Sequence, residues 1–229
     1  MGMLLSAVAV LVVTHVLINR VGAELYVPVC VVATAALVLL ARLGGVTWDE
    51  LGMGRSSVRR GLRWGLVLVG VVIVVYGVAL AAPFTREAFV DRRVAGLSAG
   101  ELLYRVFVRV PFGTVLLEEV AFRGVLWAVI RRRWGTGWAT AGTSVLFGLW
   151  HIVPSRGLTR SNAAVGAVLG TGGTGVALSV GAAVVGTALA GVLFCELRRR
   201  SGSLIPSVAL HCALNSAGYA LAWTAARAG

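Results

Sequence analysis

Long apolar segments without charged residues limit the folds open to this chain. Residues 3–19, 25–41 and 64–82 contain no Asp, Glu, Lys or Arg. A helix needs about 20 apolar residues to cross the hydrocarbon core of a bilayer. Only 13% of the whole chain is charged, whereas soluble domains average about 25%. The polar surface is too small to coat a soluble globule of this size, so the sequence predicts an integral membrane protein.

Further apolar segments follow in the second half of the chain, at 112–130, 139–153, 163–197 and 204–224. The stretch 163–197 is interrupted by glycines between positions 170 and 175, and it forms either one span or two short ones. Helices and closed barrels are the structures that satisfy every backbone hydrogen bond in lipid. We therefore predict an all-α protein, a polytopic transmembrane helical bundle with seven or eight spans.

The length of 229 residues is that of a single domain. Its N-terminal spans and loops are predicted in 1–101, and its core spans in 102–224. A polar loop is expected at 83–101. Because proline disrupts the interior of an α-helix, Pro111 is expected to divide a surface helix at 102–110 from the span that follows.

Every basic residue of the chain is an arginine, and the formal net charge is +12. A seven-span topology places three Arg-containing loops, at 42–63, 131–138 and 198–203, on one side of the membrane. An eight-span topology moves the loop at 198–203 to the other side, and the excess of arginines on one side disappears. Such loops contact lipid headgroups. Aromatic residues do not alternate with the arginines as they do at nucleic-acid interfaces. The predicted partner is therefore membrane lipid and no nucleic acid, and the Lys-free, Ala/Gly/Val/Arg-rich composition indicates a bacterial inner (plasma) membrane.

The segment Leu-Glu-Glu-Val-Ala-Phe-Arg at 117–123 places three charged residues inside an apolar helix. Charged residues within a span are costly and usually functional. Glu119 and Arg123 are spaced i,i+4 on one helix face, where they can form an ion pair. Glu118 lacks this partner, and its burial beside a second carboxylate suits it to general-base chemistry. The alternative is that both carboxylates only bind neighbouring helices or other arginines.

Two of the three histidines lie in the later apolar segments. His151 ends the sequence Phe-Gly-Leu-Trp-His, and His211 lies i,i+4 from Asn215 on one helix face. His15 stands alone in the first segment and is interpreted as a packing residue. Taken singly, such residues are more often helix–helix hydrogen bonds. Together with Glu118, these side chains can all form hydrogen bonds at the lowest free-energy cost if they surround one water-filled cavity. Such a cavity would contain the base, the water and the hydrogen-bond donors that hydrolysis requires.

Three motifs, in order on separate apolar segments, resemble the signature of a known family. They are Glu-Glu-x-x-x-Arg at 118–123, Phe-x-x-x-His at 147–151 and His-x-x-x-Asn at 211–215. The family is the CPBP family of CAAX prenyl endopeptidases and bacteriocin-processing or self-immunity proteins, also called Abi-type intramembrane proteases. The preceding Ser-Leu-Ile-Pro-Ser at 203–207 is similar to the lead-in to the third motif.

The resemblance implies an intramembrane endopeptidase that hydrolyses a peptide bond near the membrane surface. Glu118 would activate a water molecule, and His151 would help to hold it. Two donors, His211 and Asn215, would stabilise the oxyanion. The implied site residues are catalytic Glu118, His151, His211 and Asn215, with Glu119 and Arg123 in support.

The same resemblance leaves the cofactor and the substrate open. The family is often called a metalloprotease, so the alternatives are no cofactor or a Zn²⁺ ion held by Glu118, His151 and His211. The substrate would be a peptide or a prenylated protein. Two non-enzymatic functions also fit intramembrane Glu and His residues, namely a bacteriocin-immunity factor and a proton-coupled transporter.

Overall fold

The computed structural model describes residues 1–82 and 90–228, which form helices and no β-strand. The prediction of an all-α protein is confirmed. An isolated antiparallel bridge joins Asp91 to Asn162. Part of the loop predicted at 83–101 lies at 83–89, outside the described residues. The rest of that loop contains two short helices instead of irregular chain.

The helices are named here in chain order. They are α1 (Gly2–Ile18), α2 (Ala23–Leu43), α3 (Val58–Ala81), α4 (Arg92–Ala95), α5 (Ala99–Tyr104), α6 (Leu116–Glu118), α7 (Trp127–Trp150), α8 (Ile152–Ser155), α9 (Leu158–Ser161), α10 (Ala163–Leu169), α11 (Gly173–Ser201) and α12 (Ile205–Ala228). The first π segment (Arg105–Val115) precedes α6, the second π segment (Glu119–Leu126) follows it, and a 3₁₀ turn (Arg55–Ser57) precedes α3.

The chain is continuously helical on both sides of Pro111, so the predicted division at this residue is wrong. Pro111 lies inside the first π segment. In an α-helix a proline removes one backbone hydrogen bond and clashes with the carbonyl four residues earlier. The wider turn of a π-helix pairs residues five apart, which removes the conflict with that carbonyl. Glu118 therefore lies in the middle of a continuous helical path and not near the start of a new one.

Glycines set two further helix boundaries in the second half of the chain. Gly135 has φ 86° and ψ 177°. These angles are not helical and break α7 between the segments predicted at 112–130 and 139–153, so the structure agrees with that predicted separation. Pro154 follows α7 and lies within the short helix α8. In the stretch 163–197, Gly170 has φ 79° and separates the short α10 from the long α11. Glycine adopts such positive φ values without a steric penalty.

Three helices of the described chain are long and apolar enough to cross a membrane, namely Ala23–Leu43, Arg55–Ala81 and Gly173–Ser201. The apolar helix α1 is shorter. These helices indicate an integral membrane protein. The total of seven or eight spans is not confirmed by length and composition, because the helical path through 112–130 carries three charged residues that lower its mean hydropathy.

Close helix packing surrounds the second π segment. The long helices α7 and α11 pack along each other, as do α3 and α12. A Cβ atom on Gly191 would lie 3.0 Å from Ser144 Cα, and one on Gly148 would lie 2.6 Å from Val184 O, so glycine permits the α7–α11 contact. The helices α1, α2 and α7 contact the second π segment. Every residue of this segment is buried.

Candidate functional site

Glu119 lies at the centre of a buried ionic cluster. It is fully buried, and so is Arg123. Arg123 Nη1 donates to Glu119 Oε1 at 3.0 Å, which is the i,i+4 ion pair expected from the spacing. His211 Nδ1 lies 2.9 Å from the same oxygen. Because an ionised carboxylate only accepts hydrogen bonds, Nδ1 is the donor, and Glu119 links the first motif to α12.

Aromatic rings enclose the guanidinium of Arg123. Its Cζ lies 3.9 Å from the ring centroid of Phe147 and 4.8 Å from that of Phe194. The Nε and Nη2 atoms of Arg123 have no hydrogen-bond partner among the described residues. Contact with ring faces stabilises a guanidinium that is shielded from water. His211 stacks on Phe194 at a centroid distance of 5.2 Å, so the same rings also hold this histidine.

Glu118 is buried beside this cluster but is not part of its ion pair. Trp150 Nε1 donates to Glu118 Oε1 at 3.0 Å. Glu118 Oε2 lacks a hydrogen-bond partner in the described chain, and His211 Nε2 lies 3.8 Å away from it. Each carboxylate keeps one oxygen, Oε2, without a hydrogen-bond partner among the described residues. The two differ in charge compensation: Arg123 pairs with Glu119, whereas the ion-pair partner near Glu118 is His211 at 3.8 Å.

His151 and Asn215 both line a cavity of about 480 Å³. His151 Nδ1 lies 2.8 Å from Phe147 O, so Nδ1 donates and Nε2 is the nitrogen left for another partner. The ring of Phe147 contacts both His151 and His211, at centroid distances of 4.7 and 5.9 Å. The first and third motifs are thus in direct polar contact, and the second joins them through Trp150 and Phe147.

Trp150 is the site residue that the sequence analysis missed. It hydrogen-bonds Glu118, and its ring is held between His15, at a centroid distance of 4.4 Å, and Phe122, at 5.9 Å. The interpretation of His15 as a packing residue agrees with this contact, although the contact also places α1 beside the site. Its position directly before His151 could have indicated this role, because the N–H group of a buried tryptophan usually has a hydrogen-bond partner.

A family model described as Rce1-like, type II CAAX prenyl endopeptidase Rce1-like, matches residues 100–217. The match spans more than half of the chain and contains all three motifs. The chain belongs to this family. No curated protein and no solved structure matches it. Membership in the Rce1-like family implies a membrane-embedded protease of the CAAX prenyl endopeptidase type, and the resemblance seen in the motifs is confirmed.

A zinc ion at this Rce1-like site would have Glu118, His151 and His211 as its candidate ligands. Zinc ligands must converge to within about 2.0–2.2 Å of one point. In the described ranges, no three His, Cys, Asp or Glu side chains form such a group. His151 Nδ1 and His211 Nδ1 are each bonded to an oxygen acceptor, which leaves Nε2 of each ring as the nitrogen that could ligate a metal. As arranged among the described residues, Glu118, His151 and His211 do not converge as a three-ligand zinc site.

Replacing Trp150 with Phe is expected to lower peptidase activity of this Rce1-like protein about tenfold. The change removes the N–H bonded to Glu118 but keeps a ring against His15, and hydrogen bonds to charged groups are worth about 1.5–3 kcal/mol. The measurement is kcat/KM for peptide cleavage. Trp138→Phe is the matched control, because Trp138 lies in the same helix and is 70% exposed. Equal activity of both variants would contradict a role for Trp150.

Proposed function

We propose that this Rce1-like protein is an intramembrane endopeptidase in which Glu118 is the general base. The observation that carries the proposal is the asymmetry between two adjacent carboxylates. Both keep an Oε2 atom without a hydrogen-bond partner in the described chain. Arg123 compensates the charge of Glu119, whereas no arginine of the described residues pairs with Glu118, whose Oε2 lies 3.8 Å from His211 Nε2. A buried carboxylate oxygen of this kind can accept a hydrogen bond from water and then take its proton.

His211 is oriented for a role beside this oxygen. The hydrogen bond from Nδ1 to Glu119 and the stacking on Phe194 hold the ring with Nε2 3.8 Å from Glu118 Oε2. This separation is longer than a direct hydrogen bond, so both atoms can bind a third group. When the ring carries both protons, Nε2–H donates to the oxyanion of the tetrahedral intermediate.

The remaining roles are assigned to His151 and Asn215, which line the 480 Å³ cavity, whereas Glu118 and His211 are not among the residues that line it. His151 helps to hold the attacking water through Nε2, and the side-chain amide of Asn215 donates to the oxyanion. In the reaction, Glu118 takes a proton from water, and the resulting hydroxide attacks the carbonyl carbon of the substrate. The C–N bond then breaks, and the proton held by Glu118 passes to the leaving amine.

The proposed substrate is a prenylated protein C-terminus or another membrane-proximal peptide. Its peptide bond would reach the site near the membrane surface, and a prenylated substrate would lose its C-terminal tripeptide. The family description supports this substrate class. The proposed setting is a bacterial inner membrane, which the bundle crosses with seven or eight spans.

Purified protein in lipid nanodiscs tests this proposal when it is incubated with a prenylated CAAX peptide, with the unprenylated peptide, and with EDTA in parallel. We expect release of the C-terminal tripeptide, faster from the prenylated peptide and unchanged by EDTA, as measured by mass spectrometry. Loss of cleavage in EDTA with recovery in Zn²⁺ would contradict the metal-independent mechanism. Intact peptides together with proton-driven uptake into vesicles would instead favour a transporter.

A further inference from the structure

Three basic segments that are far apart in sequence meet at one end of the helix bundle. The turn before α3, the start of α7 and the end of α11 together line a cavity of about 440 Å³. A seven-span topology places these same segments on one side of the membrane. The charged residues of the lining are Arg60, Arg131, Arg198 and Arg199, together with Asp49 and Glu50.

Arg198 is a buried cation at this cavity, with only 3% of its surface exposed. Its Nε donates to Arg123 O at 3.1 Å, and its Nη2 donates to the carbonyl oxygens of Asp49 and Glu50. These acceptors are neutral, and no carboxylate of the described chain forms an ion pair with Arg198. A buried charge without a counter-ion is strongly destabilising. The arrangement therefore favours an anion close to this guanidinium.

The carboxylate of Glu50 is already committed to an arginine outside the cavity. Arg132 donates to it through Nε at 2.7 Å and through Nη2. These hydrogen bonds lower the pKa of Glu50 to about 2, so the group is ionised and engaged at neutral pH. Asp49 is then the one lining carboxylate not already engaged by an arginine outside the cavity, and the same lining contains four arginines.

Two guanidiniums share one aromatic ring at this site. Arg198 Cζ lies 4.5 Å and Arg131 Cζ 5.2 Å from the centroid of Trp127. Arg60 adds a third, exposed guanidinium from the first turn of α3. Like charges so close together repel each other, and an anion between them relieves that repulsion. Phosphate is the suitable anion, because guanidinium groups bind its oxygens with paired, charge-assisted hydrogen bonds.

The cavity lies at the ends of two membrane-length helices, Arg55–Ala81 and Gly173–Ser201. Lipid headgroups lie where the hydrocarbon-spanning part of a helix ends, and basic pockets between helices bind anionic headgroups there. We propose that this cavity binds the phosphate group of an anionic phospholipid. Arg198, which donates to Arg123 O, would connect the bound headgroup to the helix that carries the proposed catalytic glutamate.

Matched pairs of arginine variants test this site in the full chain. The cavity pair is Arg60→Gln with Arg131→Gln, and the control pair is Arg59→Gln with Arg133→Gln, which removes the same charge from neighbouring exposed positions outside the lining. Arg198 stays in place because it holds three backbone carbonyls. Detergent-purified proteins are titrated calorimetrically with short-chain phosphatidylglycerol, short-chain phosphatidylcholine and inorganic phosphate.

We expect the cavity pair to weaken phosphatidylglycerol binding about tenfold or more, because it removes charge-assisted hydrogen bonds. The control pair should change binding less than about twofold, because exposed charges are screened by solvent and salt. Equal weakening by both pairs would overturn the site in favour of diffuse attraction. Equal affinity for phosphatidylcholine would overturn the requirement for an anionic lipid, and equal affinity for inorganic phosphate would overturn the headgroup as the source.

Discussion

Glu118→Gln should reduce the rate of peptide cleavage by about a thousandfold or more, because a positioned general base contributes about 10²–10⁴-fold and this residue also delivers the proton to the leaving amine. The substitution preserves the size of the side chain. The amide oxygen can still accept the hydrogen bond that Trp150 Nε1 donates to Glu118 Oε1. The measurement is kcat for tripeptide release in nanodiscs, where loss of the base lowers kcat more than it changes KM.

The same chemical change at a carboxylate away from the site is the control for this variant. Glu196 pairs with Arg199 and Arg200, and its side chain is 35% exposed. Exposed ion pairs contribute about 0–1 kcal/mol, so Glu196→Gln should leave cleavage almost unchanged. A folded Glu118→Gln protein with full activity would rule out Glu118 as the base and with it the proposed mechanism.

Arg123→Met should destabilise the protein by about 3–5 kcal/mol, the cost of removing one partner of a buried ion pair. Both Arg123 and Glu119 have fully buried side chains. The variant leaves the Glu119 carboxylate without its cation, although His211 still donates to it. The free energy of unfolding, measured in mixed micelles by titration with denaturing detergent, gives the size of the effect.

A double variant separates the loss of the cation from the loss of packing. When Glu119→Gln accompanies Arg123→Met, position 119 no longer carries a buried charge without its cation, and we expect part of the stability to return. Arg200→Met is the surface control, because the Arg200 side chain is 61% exposed and its ion pair should contribute little. If the single and double variants are equally unstable, the ion pair is not the cause of the destabilisation.

Local spacing accounts for the parts of this protein that were predictable from its sequence. The apolar segments predicted membrane helices, because length and hydropathy alone decide whether a helix can lie in lipid. The ion pair between Glu119 and Arg123 was predictable because residues four apart on one helix are always neighbours. The three motifs were recognisable in order, and the Rce1-like match at 100–217 contains all of them.

Tertiary structure alone decided how the separate helices combine. Hydropathy assigns a face to each helix but does not say which helix it meets or at what rotation. The contact between Glu118 and Trp150, the aromatic enclosure of Arg123, and the approach of His211 to both glutamates join residues that are distant in sequence. The continuous helix through Pro111 was equally unpredictable, because a local π-helical turn removed the steric conflict on which the predicted break depended.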